Sequence, residues 1–459
     1  MRIGKMSPRF CLILFFLAGF PGPSPFSNSL RGADRPNIVF ILADDLGGGE
    51  IGAFGGAIAK TPNLDKMAEE GIRFERYYSA SPICSPSRCG LITGNFPARW
   101  RINSYLQTRA GNKACEMADY LDPVAPSLPR IMKSTGYATA HYGKWHLGGG
   151  RDVVNPPKFA AYGYEEHAST WESPEPHPDL TAGNWVWSKM DKVKRWDRTA
   201  FYLDKTRDFL ERNKEKPCFV NVWLDDPHSP WVPSDDPTDN NTGSEANLKK
   251  VMEQTDNQIG RFLEGLKKAG LDKKTLVIFA SDNGPLPTFR GKRTNGLRGA
   301  KLCLYEGGIR LPFIAWWPGK VPAGRVDNQT VISAVDMLPS LCSIAEASTS
   351  AIFPSGQDGL DRSGALLGKP DPNRSTPLLW EYGRNTKSFD YPKKYGSDSS
   401  PWLAILDGPW KLLCMPDGSD TELYQVFDDP KETKNLASAN PDLVERLKTS
   451  LLSWKKNLP

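Results

Sequence analysis

The stretch NIVFILADDLGGG, Asn37 to Gly49, decides the fold. Its first part, NIVFIL, is a short apolar run of the kind that forms a strand buried on both faces. It runs into Asp44 and Asp45, and then into glycines that let the chain turn. Four other runs repeat the pattern: Ala138–Tyr142, Cys218–Leu224, Thr275–Ala280 and Pro312–Trp316. Amphipathic helices are expected between them, over Leu64–Ile72, Ala200–Leu210 and Ala246–Lys268. Strands alternating with helices predict an α/β fold with a large, mainly parallel sheet flanked by helices. Sheets of that kind bind ligands beyond the C-terminal ends of their strands.

That rule selects particular residues. Asp44 and Asp45 end the first strand, and Asp282 and Asn283 follow TLVIFA. His228 follows CFVNVWL, and Lys144 and His146 lie just past the strand in GYATAHYGKWHLGGG. Residues 148–194 are rich in Gly, Pro and Trp without a sustained period, and read as long loops around the site. A second unit is expected from near Ser375, with short strands at Leu378–Tyr382, Leu403–Leu406 and Lys411–Cys414 and a closing helix at Leu443–Trp454. The expected division is a leader over 1–33, a main domain over 34–375 and a C-terminal subdomain over 376–459.

The chain has 459 residues, and its net charge of +5 comes from 58 basic and 53 acidic side chains. No long basic run accompanies it, which argues against a nucleic-acid partner. Lys5 and Arg9 precede the apolar FCLILFFLAGF, Phe10 to Phe20, as in a secretory signal peptide. That run is about half the ~20 residues a spanning helix needs, so an uncleaved anchor is the less favoured reading. Cleavage is expected after Ala33, giving a secreted or periplasmic protein without a membrane partner. Of eight cysteines, one lies in the leader, which leaves an odd number. In an oxidising compartment an odd count implies a thiol that is free or chemically altered.

One cysteine stands in CSPSRCGLITG, Cys84 to Gly94. Pro86 suits the first turn of a helix, and Ser85 and Ser87 suit capping of its free N–H groups. Arg88, four residues on, would share a face with Cys84, and a thiol beside a guanidinium and a helix N-terminus is expected to be activated. Asp44, Asp45, Asp282 and Asn283 offer only oxygen ligands, which suit Ca²⁺ or Mg²⁺ rather than zinc. Taken alone, DD and DN read as ordinary turn residues. Arg88, Lys144, His146, His228 and Lys301 form a cationic set able to cradle a tetrahedral oxyanion beside a metal. Lys301 by itself reads as a hydrogen-bonded or solvated surface residue. His167, Trp171, Trp185 and Trp187 are of types that contact sugars, but the favoured reading is that of ordinary loop residues. Asn240, Asn328 and Asn373 begin Asn-x-Ser/Thr matches, which matter only in a glycosylating host.

CSPSRCGLITG resembles the sulfatase signature Cys-x-Pro-Ser-Arg followed by Thr-Gly, and GYATAHYGKWHLG resembles the second signature of that family. NIVFILADDLGGGEIGAFGG, SDNGP, GAKLCLYEGGIRLPFIAWWPG and ELYQVFDDPKETKNLA resemble family segments in the same order, over about residues 36–455. The sequence is thereby identified as resembling a type I, arylsulfatase-like sulfatase of the alkaline phosphatase superfamily. The resemblance implies a small C-terminal antiparallel sheet with a packed helix beside the large sheet. It implies that a maturation enzyme converts Cys84 to Cα-formylglycine, whose hydrate is the nucleophile and approaches the metal. It implies that Asp44, Asp45, Asp282 and Asn283 hold that metal, usually Ca²⁺. Arg88 would support the nucleophile, Lys144 and Lys301 would bind sulfate oxygens, His146 would help break down the covalent intermediate, and His228 would bind sulfate or protonate the leaving oxygen. A family serine that contacts the hydrate falls in a divergent loop, where Ser169 is the nearest match. The implied substrate is a sulfate monoester, on a carbohydrate or an aryl group. Two other readings stay open: a phosphodiesterase or phosphonate monoester hydrolase on the same scaffold, and a non-catalytic glycan-binding relative.

Overall fold

The structure is a computed structural model that describes Met1 and residues 35–183, 185, 187–237, 244–347, 357–385 and 399–459. The leader expected over 1–33 and the Asn240 glycosylation match lie outside the described residues. Among the described residues, nine strands form one sheet in the order β4-β3-β5-β1-β6-β7-β2-β8, with β9 also pairing with β2. They are β1 (Asn37–Ala43), β2 (Ile72–Tyr78), β3 (Ala138–Gly143), β4 (Glu166–Ser169), β5 (Cys218–Trp223), β6 (Thr275–Ser281), β7 (Arg310–Trp316), β8 (Arg325–Asp327) and β9 (Ile332–Ser333). β1 sits in the middle, with Phe40 opposite Asn221 of β5 on one side and Ile278 of β6 on the other. All seven β1 residues are buried, as NIVFIL predicts for a central parallel strand.

The sheet is mainly parallel, with one reversal. The segment expected as a parallel strand at Pro312–Trp316 is β7, which runs antiparallel to both β6 and β2. Direction is set by the connection that precedes a strand, and a local apolar run carries no trace of it. The helix expected over Leu64–Ile72 stops at Glu69, and Ile72 opens β2 instead. Helices Arg198–Arg212 and Glu245–Lys268 lie where helical periodicity puts them and pack on each other. They cover one face of the sheet, while helices Cys84–Thr93, Leu128–Ser134 and Met337–Ile344 belong to the other side. No helix among the described residues is long and apolar enough to cross a membrane.

The chain then forms a second, antiparallel sheet of β10 (Leu378–Glu381), β11 (Leu403–Asp407), β12 (Trp410–Cys414) and β13 (Glu422–Gln425). Helix Pro441–Lys456 packs on it through Leu447 and Leu451. Leu378, Leu403, Leu412 and Leu447 join the same apolar cluster as Phe40 and Phe74 of the large sheet. Polar ties reinforce the joint. The Trp380 indole donates to the Ser79 carbonyl at 2.8 Å, and buried Lys411 pairs with Glu306 at 2.9 Å and Glu432 at 3.0 Å.

Candidate active site

The C-terminal ends of β1, β3 and β5 open on a cavity of about 780 Å³, with Cys84 in its wall. Asp44 and Asp45 leave β1 directly into this edge, Asp45 with a left-handed φ of 62°. The turn is held by neighbouring strands: Asp44 N donates to the Asp226 carbonyl at 3.0 Å, and Asp45 N donates to Asp282 Oδ1 at 3.2 Å. Three buried carboxylates face three buried cations here. Lys144 Nζ lies 2.5 Å from Asp44 Oδ2, Lys301 Nζ lies 2.7 Å from both Asp45 oxygens, and Arg88 Nη2 lies 2.8 Å from Asp282 Oδ2. Burial disfavours charge on Asp44 and Asp45, but the facing cations outweigh it and hold both below the usual carboxylate range. Burial and the charge of Asp44 push Asp282 up to about 7 despite Arg88.

Cys84 opens helix Cys84–Thr93, all ten residues of which are buried. The helix follows extended Ile83 and stops at Gly94, whose φ of 66° suits glycine. Ser85 and Ser87 do not cap it, contrary to expectation. Ser85 Oγ accepts from Leu106 N at 3.0 Å and Ser87 Oγ donates to the Asp282 carbonyl, so both serines tie the helix to its surroundings. Arg88 stands one turn from Cys84 as the spacing requires, and donates to Asp282 and to the Lys144 carbonyl at 2.8 Å. Cys84 Sγ lies 3.5 Å from Asp44 Oδ1, 3.5 Å from Lys144 Nζ and 3.7 Å from Lys301 Nζ. The expected thiol activation is not found: burial, with the Asp44 charge, pushes Cys84 up to about 12, so the thiol stays protonated. Lys301 is 5% exposed, which corrects its reading as a solvated surface residue.

The two histidines arrive from different loops. His146 follows β3 with a φ of 56°, and its Nε2 faces the Leu106 carbonyl at 3.2 Å and Glu172 Oε2 at 3.4 Å. Both neighbours accept, so the proton sits on Nε2. Nδ1 is then a lone pair, buried and without a partner among the described residues. Burial lowers this imidazole to about 3, which keeps it neutral. His228 follows β5, with Nε2 3.6 Å from Asp45 Oδ2 and Nδ1 2.6 Å from the Ser229 carbonyl. Its turn is clamped by Arg195, whose Nη2 donates to the Asp225 carbonyl at 2.8 Å and the His228 carbonyl at 3.0 Å while Nη1 pairs with Asp226 at 2.8 Å. Arg198 and Tyr202 hold the Asp225 carboxylate at 2.9 and 3.0 Å. Ser169 lies at the end of β4 with its hydroxyl bonded to the Gly143 carbonyl at 2.8 Å.

Asp44, Asp45, Cys84 and His228 offer one ligand atom each, all within 4.8 Å of one another. The Asn283 side chain donates its NH₂ to Asp45, and its Oδ1 is buried without a partner among the described residues. A cluster of carboxylates with an orphaned amide oxygen fits a hard, oxygen-seeking cation. The expected ligand Asp282 has its oxygens engaged by Asp45 N and Arg88, while His228, not expected as a ligand, falls inside the cluster. Sequence reasoning missed Glu172 and Arg151, which lie in the aperiodic 148–194 region, and Arg195, which follows it directly. The aromatic residues there divide. Trp185 and Trp187 line the cavity, whereas His167 stacks on Phe159 and leans on Glu175. All seven described cysteines are free.

The mainly parallel sheet, its acidic, lysine-braced edge and the buried helix-start cysteine agree with what the resemblance to sulfatases of the alkaline phosphatase superfamily implies. The family model described as Sulfatase matches residues 36–347. The dog N-acetylgalactosamine-6-sulfatase is 33% identical over 72% of this chain and 66% of its own length. The N-acetylgalactosamine-6-O-sulfatase of Bacteroides thetaiotaomicron is 27% identical over 93% of this chain and 94% of its own. The solved structure of Ps i-CgsB in complex with k-i-k-neocarrahexaose superposes with a TM-score of 0.74 at 23% identity, covering 92% of each chain, and so shares the fold. The chain belongs to the sulfatase family.

Proposed function

We propose that this protein hydrolyses sulfate monoesters on sulfated carbohydrates, with Cys84 matured to formylglycine as its nucleophile and Ca²⁺, or alternatively Mg²⁺, at its acidic edge. Export through the leader over 1–33 and dependence on a formylglycine-generating enzyme belong to the same reading. So does a division into a catalytic domain over 34–375 and a C-terminal subdomain over 376–459. The observation that carries it is Cys84 Sγ within 3.5 and 3.7 Å of two buried lysine ammoniums and 3.5 Å of Asp44. Three carboxyl groups, of which Asp282 is pushed up to about 7, face three cations and leave little excess charge for an anionic ester, and a divalent ion makes the edge positive. Asp44, Asp45, Asp282, Asn283 and the modified Cys84 would hold the metal, which supplies charge to draw electron density off the transferring group. The formylglycine hydrate supplies two hydroxyls on one carbon, one to attack sulfur and one to expel sulfate afterwards.

The surrounding side chains have distinct tasks. Lys144 and Lys301 hold the sulfate oxygens, and Arg88 fixes the start of the cysteine helix against Asp282. His146 presents a neutral Nδ1 lone pair that takes a proton. His228, at the open edge beside Asp45, binds sulfate or, when protonated on both nitrogens, gives its Nε2 proton to the leaving oxygen. A 6-O-sulfated N-acetylgalactosamine is the first substrate to try, because relatives named for that sulfatase activity align over most of the chain. The test combines a peptide mass with an assay. With the maturation enzyme present, the Cys84 peptide is expected to carry an aldehyde oxygen in place of sulfur, and the protein to hydrolyse the sulfated sugar in preference to its phosphorylated analogue. Protein made without that enzyme should be folded and inactive. Preference for the phosphate ester would move the activity to the phosphohydrolase branch, and an unmodified, inactive protein that binds the sugar would make it a lectin-like relative.

A further inference from the structure

We propose that Trp185, braced by Arg151 and Trp171, forms a second carbohydrate subsite that holds the pyranose ring linked to the sulfated residue. The inference rests on the sulfatase reading above and adds a ligand group to it. Trp185 is 54% exposed and also borders the cavity that contains Cys84. Isolated exposed Val124, Val154 and Val326 need no explanation, since such residues are common on surfaces. Trp185 differs because its ring is held in place. It lies 5.9 Å from the Trp171 ring at 45°, and the Arg151 guanidinium stands 5.8 Å from one indole and 5.9 Å from the other. Cation–π contact with two rings braces an aromatic wall that is open on one side.

The wall is anchored to the catalytic machinery. Arg151 Nη2 donates to Glu172 Oε1 at 2.8 Å, and the other oxygen of Glu172 faces His146 Nε2 at 3.4 Å. The sequence HLGGGR makes this return possible. Gly148, Gly149, Gly150 and Arg151 all have positive φ, from 132° down to 54°. A Cβ on Gly149 would lie 2.3 Å from the Ser173 carbonyl oxygen, so only glycine lets the loop close down on residues 171–173. Arg151 is thereby brought back beside Glu172. An exposed indole face attracts the C–H face of a sugar ring, whose hydroxyls stay free for polar neighbours. At about 780 Å³ the cavity lies in the upper part of the range typical of ligand sites, which leaves room beyond the sulfate-bearing residue.

The test compares three sulfates on wild type and Trp185→Ala: 4-nitrophenyl sulfate, N-acetylgalactosamine-6-sulfate, and a disaccharide in which that residue is linked to a neutral hexose. The variant is expected to lose about tenfold more kcat/KM on the disaccharide than on either small ester, equivalent to ~1.4 kcal/mol. Equal losses on all three, or no loss on the disaccharide, would overturn the subsite. If wild type cleaves none of them, the sulfatase reading fails, and the subsite is read separately by titrating the unsulfated disaccharide against indole fluorescence. Quenching in wild type that disappears in Trp185→Ala supports the subsite, and no quenching in wild type overturns it.

Discussion

At the scale of single residues, the site is a balance of buried charges in which each group sets its neighbour. Asp45 shows this best: it accepts from Lys301 through both oxygens, from Asn283 through one, and faces His228. Asp45→Ala is therefore expected to lose bound metal and activity together. The fall in kcat/KM should be on the order of 10²-fold or more, since metal charge supplies several kcal/mol to such a transition state. Metal content by mass spectrometry and hydrolysis of an aryl sulfate check it, and a fully active variant would sink the assignment. Residues at strand ends were legible because an apolar run and its polar successor are adjacent in sequence. Their position at a sheet edge placed Asp44, Asp282 and His228 together, although DD and DN taken alone read as ordinary turn residues. Lys301 did not announce itself, because its ammonium is held by Asp45, 256 positions away in the chain. The thiol of Cys84 misled in the opposite direction: helix spacing promised an activated sulfur, but burial beside Asp44 dominates.

At the scale of elements, the cavity is shaped by loops leaving parallel strands, and their clamps matter as much as their tips. Arg195 holds the turn that carries His228 by two carbonyls and one carboxylate. Arg195→Met should free that turn and cut kcat about 10–100-fold, as small misplacements do. The loss should be larger for sugar sulfates, with their poor leaving groups, than for 4-nitrophenyl sulfate. Equal losses on both esters would argue that Arg195 acts on stability alone, and a thermal melt beside the assay separates the two. Long periodic helices and apolar strands were read from sequence almost to the residue, as Glu245–Lys268 and β6 show. β2 escaped because IRFERYY carries three charged side chains on its half-exposed positions, and β4 because four residues are too few for a period.

At the scale of the whole molecule, two sheets are joined through one apolar cluster and one buried ionic knot. Lys411 of the small sheet pairs with Glu306 and Glu432, while Tyr78 of β2 donates to Glu306 at 2.9 Å. Burial and the neighbouring Glu306 raise Glu432 from 4.5 to about 7 although Lys411 opposes the shift. A carboxyl whose folded value is raised adds stability below its unfolded value and loses it as pH climbs through the folded one. The knot should thus weaken between about pH 4.5 and pH 7. Glu432→Gln keeps the shape without the charge, and its Tm should fall less than that of wild type between pH 5 and pH 8; an identical fall in both would contradict this. The small sheet was legible as short strands, but its seat on the large one was not, since contacts such as Trp380 to Ser79 span some 300 positions. One feature of the closed molecule also bears on its history. Cys84 is 2% exposed, inside a helix with no exposed residue. If Cys84 is matured as proposed, the maturing enzyme would need the surrounding chain in its own cleft and would have to arrive while residues 84–94 are still extended. Maturation and folding would then compete in time, and variants that hasten closure of the core would be expected to leave more chains unmatured, however stable they become.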